Sequence, residues 1–229
     1  FDTDIQPYGA NITAATTVVG AFVCPSDPLS VPSPLAPNNY RGNAGLCGDC
    51  SPGYVRVIPS FGFRGDEMGV FTFHGTQTSE ITDGLSSTIA FSEKLVGGES
   101  GYTPSRDYLL TNLGPVIDGG LMTWSDWLGV CASQTDVGAA SRDSGRSWMP
   151  GGAFYTLFFV AAPPNARIPD CGVGNDSGTG VFAARSLHPG GVNAAMADGS
   201  VRFFLNSIDA ATWRALGTAH GGETVSAPW

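Results

Sequence analysis

Ser186, His188 and Asp198 stand close together near the C-terminal end of the chain, and these are the residue types of nucleophilic hydrolysis. A nucleophile and its base must meet in a fixed geometry, however, and the sharp Gly-x-Ser-x-Gly turn that presents such a serine is missing. His188 precedes Pro-Gly-Gly and reads as a structural hydrogen-bonder at the mouth of a hairpin. Asp198 has a sufficient role as a turn residue beside Gly199, and Arg202 is placed to pair with Asp198 or Asp209. His74 and His220 are isolated, so three scattered histidines give no metal-ligand spacing. The expectation is that the chain is not an enzyme.

The five cysteines carry the other possible chemistry. Cys47-Gly-Asp-Cys50 has the spacing of a redox pair or half a zinc site. No second Cys-x-x-Cys, no His-x3-His and no βαβ pattern accompanies it, so a local disulfide is the better reading. Cys131 and Cys171 flank an aromatic region and are candidates to close one large loop. Cys24 is then left over, and an odd cysteine in a secreted chain points to a partner outside this chain.

A length of 229 residues and 42% hydrophobic content suit one sizeable domain, 1–229, with a real core. The 32 glycines and 16 prolines imply many turns and surface loops. Net charge is −9, and Lys94 is the one lysine, so phosphate-neutralising patches are missing and nucleic-acid binding is disfavoured. The apolar run 154–162 is too short to span a bilayer. Phe1 opens neither a signal peptide nor a basic leader, and a targeting segment is expected upstream. Trp124, Trp127 and Trp148 lie in a loop-rich stretch and would suit a platform for sugar rings, although core or interface packing is the commoner use of tryptophan. Asn11-Ile-Thr13 and Asn175-Asp-Ser177 fit the glycosylation sequon, with no expectation that they are used.

The elements that must position these residues are mostly strands. Apolar runs predict strands over 17–23, 39–45, 55–58, 69–73 and 88–96, and a central strand buried on both faces over 154–162. Val192, Ala194 and Met196 alternate before Asp198-Gly199, and Val201, Phe203 and Leu205 alternate after it. That pattern predicts a hairpin over 192–205 with a two-residue turn and positive φ at both central positions. Residues at about 97–150 read as a loop-rich insertion. One short helix is legible, capped by Asp209, stapled by Ile208 and Trp213 and ended by Gly217. The fold class is α+β, predominantly antiparallel β with short helices.

Six separated blocks, in order, resemble one family of secreted, prepilin-like proteins of planctomycete-type bacteria. They are Cys24-Pro-Ser-Asp27, Asn39-Tyr-Arg-Gly-Asn-Ala-Gly45, Asp83-Gly84 through Ile89 with Glu93, Pro163-Pro-Asn165 with Cys171, His188 with nine residues before Asp198-Gly199, and the tail 213–223. Ser87 stands where the family has asparagine. The resemblance implies a pilin-like globular head whose N-terminal pilin helix is absent from this chain, and an upstream cysteine that would pair with Cys24. It implies an extracellular or cell-surface structural subunit, either of a pilus-like filament or as a pseudopilin of a secretion system. Its partners would be itself, other pilins or secretion-machinery proteins, with membrane contact only through the missing helix. A structural calcium ion is the one cofactor the resemblance raises, with Asp198, Asp209 and Asp83 as candidate ligands. The alternatives are a secreted glycan- or protein-binding module using the tryptophan loops, and a hydrolase with an unrecognised site.

Overall fold

Among the described residues nine strands form two sheets, and the hairpin near the C-terminus anchors the larger one. The structure, a computed structural model, describes residues 9–28, 35–46, 67–72, 75–111, 124–173, 180–223 and 225. In chain order the strands are β1 (Tyr40–Asn43), β2 (Ile89–Glu93), β3 (Tyr108–Thr111), β4 (Ala140–Ser141), β5 (Leu157–Phe158), β6 (Asp170–Val173), β7 (Gly180–Val181), β8 (Gly191–Met196) and β9 (Val201–Leu205). The helices are α1 (Ile12–Ala15), α2 (Trp124–Ser133) and α3 (Ala210–Ala215). One sheet has the order β5-β1-β2-β8-β9 and the other β4-β3-β6-β7. The β1/β5 and β3/β6 pairs are parallel and the rest antiparallel, which is the α+β, mostly antiparallel class.

The β8–β9 hairpin is present, but its turn differs from the one the Asp-Gly pair predicts. Met196 donates to the Ser200 carbonyl and Gly199 donates to the Met196 carbonyl, which leaves Ala197, Asp198 and Gly199 as a three-residue loop. Of the turn residues only Gly199 has positive φ, at +86°. This is a type I turn closed by a left-handed glycine. The Asp198 carboxylate accepts from the amide and hydroxyl of Ser200, and these bonds hold it below the usual carboxylate range.

The added loop residue decides which side of β9 is inside. Val192 lies opposite Phe204, and Asn193 opposite Phe203. Opposed residues share a face, so Phe204 joins Val192, Ala194 and Met196 in the core. Val201, Phe203 and Leu205 point the other way and are exposed.

Three adjoining clusters make the core. Against the inner face of the larger sheet, α3 packs Trp213 and Leu216 onto Ile89, Val192, Met196 and Phe204. Against the smaller sheet, α2 packs Trp127 and Cys131 onto Leu109, Cys171 and Val181. Tyr108, Phe154, Phe159 and Phe182 form the aromatic cluster between them, with Tyr108 and Phe154 stacked at 4.4 Å. Most of the 154–162 run is buried, with Tyr155, Thr156 and Leu157 half-buried, but it is not the central strand expected: only Leu157 and Phe158 belong to a ladder, at the edge of the larger sheet. Its successive residues feed all three clusters, since Val160, Phe159 and Ala162 belong to different ones.

Other expectations need correction. The 97–150 stretch supplies β3, α2 and β4, so much of the smaller sheet and the longest described helix come from the supposed insertion. The 17–23 run is not a strand but a single 3-10 turn, Gly20–Phe22, whose amide bonds close locally on the carbonyls of Val19 and Gly20. In 69–73 the described residues form no strand, and one antiparallel bridge joins Met68 to Gly45. Asp209 does cap α3, accepting from the Thr212 amide. Gly217 follows that helix because a Cβ there would meet Val160 at 2.2 Å, not because the chain turns left-handed. Cys131 and Cys171 form the disulfide that ties α2 to β6. The strand expected at 55–58 and the pair Cys47 and Cys50 lie outside the described residues.

Candidate functional site

Cys24, Asn39, Glu93 and His188, from four blocks far apart in sequence, meet at one end of the larger sheet. Cys24-Pro-Ser-Asp27 forms a tight turn closed by the Asp27 amide on the Cys24 carbonyl. Asn39, just before β1, is its clamp. The Asn39 Oδ1 accepts from the Cys24 amide at 3.0 Å, while Nδ2 donates to Asp27 Oδ2 at 2.8 Å and to the Lys94 carbonyl at 3.1 Å. Asp27 also accepts from the Val96 amide and pairs with Arg106 at 2.8 Å. A turn rich in proline, with no strand of its own, is thus held by buried polar bonds to the ends of β1 and β2.

Glu93 ends β2 and Lys94 follows it, and strand alternation sends them to opposite sides. Glu93 lies on the outer side, opposite Tyr40 across the β1–β2 ladder, yet it is only 3% exposed. Its Oε2 accepts from the Asn193 amide at 2.8 Å, and its Oε1 accepts from Asn193 Nδ2 at 3.1 Å. The imidazole of His188 closes over it, with Nε2 at 2.9 Å from Oε1. The same Nε2 lies 3.8 Å from Cys24 Sγ. Tyr40 completes the group, its hydroxyl pushed up to about 12 by burial, by contact with Cys24 and by the nearby Glu93.

Lys94 points inward to the carboxylate of Asp170 on β6, joining the two sheets. Asp170 also receives Arg185 through Nε at 3.1 Å and Nη2 at 2.8 Å, and the Ala183 amide at 3.2 Å. Arg41 is buried beside them and donates to Ser144 Oγ at 3.0 Å. One carboxylate therefore serves several buried cations. Burial pushes Lys94 down to about 7, against the pull of Asp170 and with the push of Arg41 and Arg185. Burial likewise lowers Arg41 to about 9. Arg185 and Lys94 hold Asp170 below the usual carboxylate range despite its own burial.

These two centres were only partly legible. His188 stands at the heart of the outer one, hydrogen-bonded to Glu93, with Cys24 beside it. Glu93, Asn39, Tyr40 and Arg41 stand out in the sequence only as members of blocks, and Asp170 and Arg185 do not stand out at all. The available signal was Lys94 itself, the one lysine of the chain, set at the end of an apolar strand.

The hydrolase arrangement does not assemble. The Ser186 hydroxyl donates to the Gly191 carbonyl and accepts from the His188 amide, and Asp198 is engaged by Ser200 in the distal turn. The three calcium candidates also stay apart. Asp209 is bound to Thr212, Asp83 accepts from the amides of Gly221 and Gly222, and Asp198 is in the hairpin turn. Gly84 beside Asp83 has φ of +98° and serves the turn into β2. Arg202 lies opposite Ala194 on β9, where its charge helps to lower Asp198. The tryptophans form no platform. Trp127 is fully buried, Trp124 packs under the Arg214 guanidinium, and Trp148 donates to the Thr17 carbonyl beside Phe22. Asn11 of the first sequon is buried.

Fold and site together define a two-sheet α+β protein whose signature blocks converge on buried polar centres at one end of the larger sheet. The chain belongs to the family described as protein of unknown function (DUF1559), whose profile matches residues 2–211. No curated protein and no solved structure matches it.

Proposed function

We propose that this protein is an extracellular structural subunit that self-assembles into a filament or surface appendage. The observation that carries this reading is the outer face of the larger sheet. Val201 is 68% exposed, Leu205 56%, Phe203 42%, Phe91 41% and Phe71 37%. Ladder pairing places them side by side: Phe203 lies opposite Asn193, Val201 opposite Ala195, and Phe91 opposite both Ala195 and Gly42. The Phe71 ring lies over Gly42 and meets Phe91 at 4.7 Å.

An apolar band of this kind, ending on an edge strand, is what soluble monomers avoid and what assembling subunits use. Among the described residues β9 pairs with β8 alone, so its second edge offers backbone groups as well as apolar side chains. The occupant that fits is a second copy of the chain. A disulfide between α2 and β6, and signature residues spent on internal bonds, suit a part whose work is mechanical.

Electron microscopy and sedimentation of the native material test this. Filaments or ordered oligomers are expected, and Phe203→Glu with Leu205→Glu should abolish them without lowering Tm. Wild-type protein that stays monomeric at high concentration, or assembly indifferent to both substitutions, overturns it.

A further inference from the structure

We propose that Cys24 Sγ, Glu93 Oε1 and His188 Nε2 form a binding site for a divalent transition metal, with zinc the expected occupant. Among the described residues these are the only three metal-competent side chains whose ligand atoms meet, all within 4.8 Å of one another. They come from three separate segments: the turn after residue 22, the end of β2 and the loop before β8.

The geometry separates this reading from a catalytic one. A cysteine nucleophile with a histidine base and a carboxylate orienter uses both ring nitrogens, thiol on one side and carboxylate on the other. Here the thiol and the carboxylate both approach the same nitrogen, at 3.8 Å and 2.9 Å. Convergence of S, N and O on one point is what a metal centre requires. Zinc bonds are about 2.3 Å to sulfur and about 2.0–2.1 Å to nitrogen or oxygen. A tetrahedral centre with those bonds sets sulfur and nitrogen about 3.6 Å apart, and nitrogen and oxygen about 3.3 Å apart. The present Sγ–Nε2 and Nε2–Oε1 separations, 3.8 Å and 2.9 Å, lie within about 0.4 Å of those values, and all three ligand atoms lie within 4.8 Å of one another.

The surroundings fit as well. Glu93 is a buried carboxylate, and among the described residues His188 is the basic side chain that reaches it. Lys94, Arg106 and Arg185 are committed to Asp170 and Asp27. Outer partners orient the ligands: Asn193 fixes Glu93 by two bonds, and Asn39 fixes the backbone of Cys24. The His188 side chain is 26% exposed, so an ion can reach the site. The Tyr40 hydroxyl, in contact with Cys24, or a water supplies the fourth position. Thiolate with imidazole selects zinc, cobalt or copper over calcium and magnesium.

The test is titration of the chelator-treated, full chain with Co(II) and Zn(II). One equivalent of Co(II) should give thiolate-to-metal charge-transfer absorption, displaced by Zn(II), and Zn(II) should raise Tm. Cys24→Ser should abolish the charge-transfer band, and His188→Gln and Glu93→Gln should each weaken uptake at least tenfold. Cys47→Ser with Cys50→Ser should leave uptake unchanged, which separates this site from that pair. Asp198→Asn, with its carboxylate in the hairpin turn, serves as a folded control that keeps uptake. No band in reduced wild type, a band kept by Cys24→Ser, or Cys24 found disulfide-bonded in native material overturns the proposal.

Discussion

Asp170→Asn isolates the inner polar centre, because it removes the charge and keeps the shape. In the wild type one carboxylate holds Lys94 and Arg185, and all three side chains are essentially buried. Asparagine can still accept from the Ala183 amide, so the loss is mainly electrostatic. Removing one partner of a buried ion pair costs about 3–5 kcal/mol, because the remaining charge stays buried without compensation. A domain holds about 5–15 kcal/mol in total, so the variant should lose about a fifth of its stability or more.

The loss depends on pH with a definite sign. In the folded chain Lys94 loses its proton near about 7, whereas an unfolded lysine holds it to about 10.4. Between those values the unfolded state binds the extra proton, so wild-type stability rises with pH, by at most about 1.4 kcal/mol per unit. Below pH 7 the lysine is charged in both states, and the Asp170 pairing carries its full weight. The penalty of Asp170→Asn should therefore be larger at pH 6 than at pH 9.5, where only the Arg185 pairing remains to be lost. Adding Lys94→Met should recover part of the pH 6 loss. Urea unfolding under non-reducing conditions measures all three. A loss under about 1 kcal/mol at pH 6, or equal losses at both pH values, would refute the argument that these charges are buried together.

Other perturbations test the frame around the site. Gly217→Ala drives a methyl against Val160 and should cost about 1–3 kcal/mol by denaturant unfolding, partly relieved by Val160→Ala. Asp209→Ala removes the cap of α3 and should cost about 1 kcal/mol, read in the same assay. Gly199→Ala should cost about 1–2 kcal/mol, since φ of +86° is left-handed, whereas Ser200→Ala should cost less; thermal melts compare them. Replacing Cys131 and Cys171 by serine opens a loop with a sequence separation of 40 and should cost about 4 kcal/mol, seen as a lower urea midpoint.

How much was legible follows from which physics is local. Turn chemistry and capping act within a few residues, so the hairpin around Asp198-Gly199 and the cap at Asp209 could be read directly. The pairing of Cys131 with Cys171 could be nominated from spacing and composition. The α2 helix was not legible, because Trp124–Ser133 carries Gly129 in its middle and Ser125 and Asp126 in its first turn, and its stability comes from packing Trp127 and Cys131 on the smaller sheet. The turn at 20–22 misled for the opposite reason. Its β-branched neighbours favour a strand, but among the described residues it joins no strand ladder.

The sequence by itself determined the α+β class, the alternation of apolar residues and the identity of the residues able to do chemistry. Alternation with period two says that Val201, Phe203 and Leu205 share a face; it does not say which face is inside. Only the tertiary structure decided that, through a three-residue turn that sets Phe204 opposite Val192 and leaves the triple outside. The same holds for the site. Cys24, Glu93 and His188 are separated by 69 to 164 positions, and no local rule links them. Strand pairing brings Tyr40, Glu93 and Asn193 into one row, and two loops then fold Cys24 and His188 over it. Local interactions write the elements, whereas register and burial decide which side chains meet.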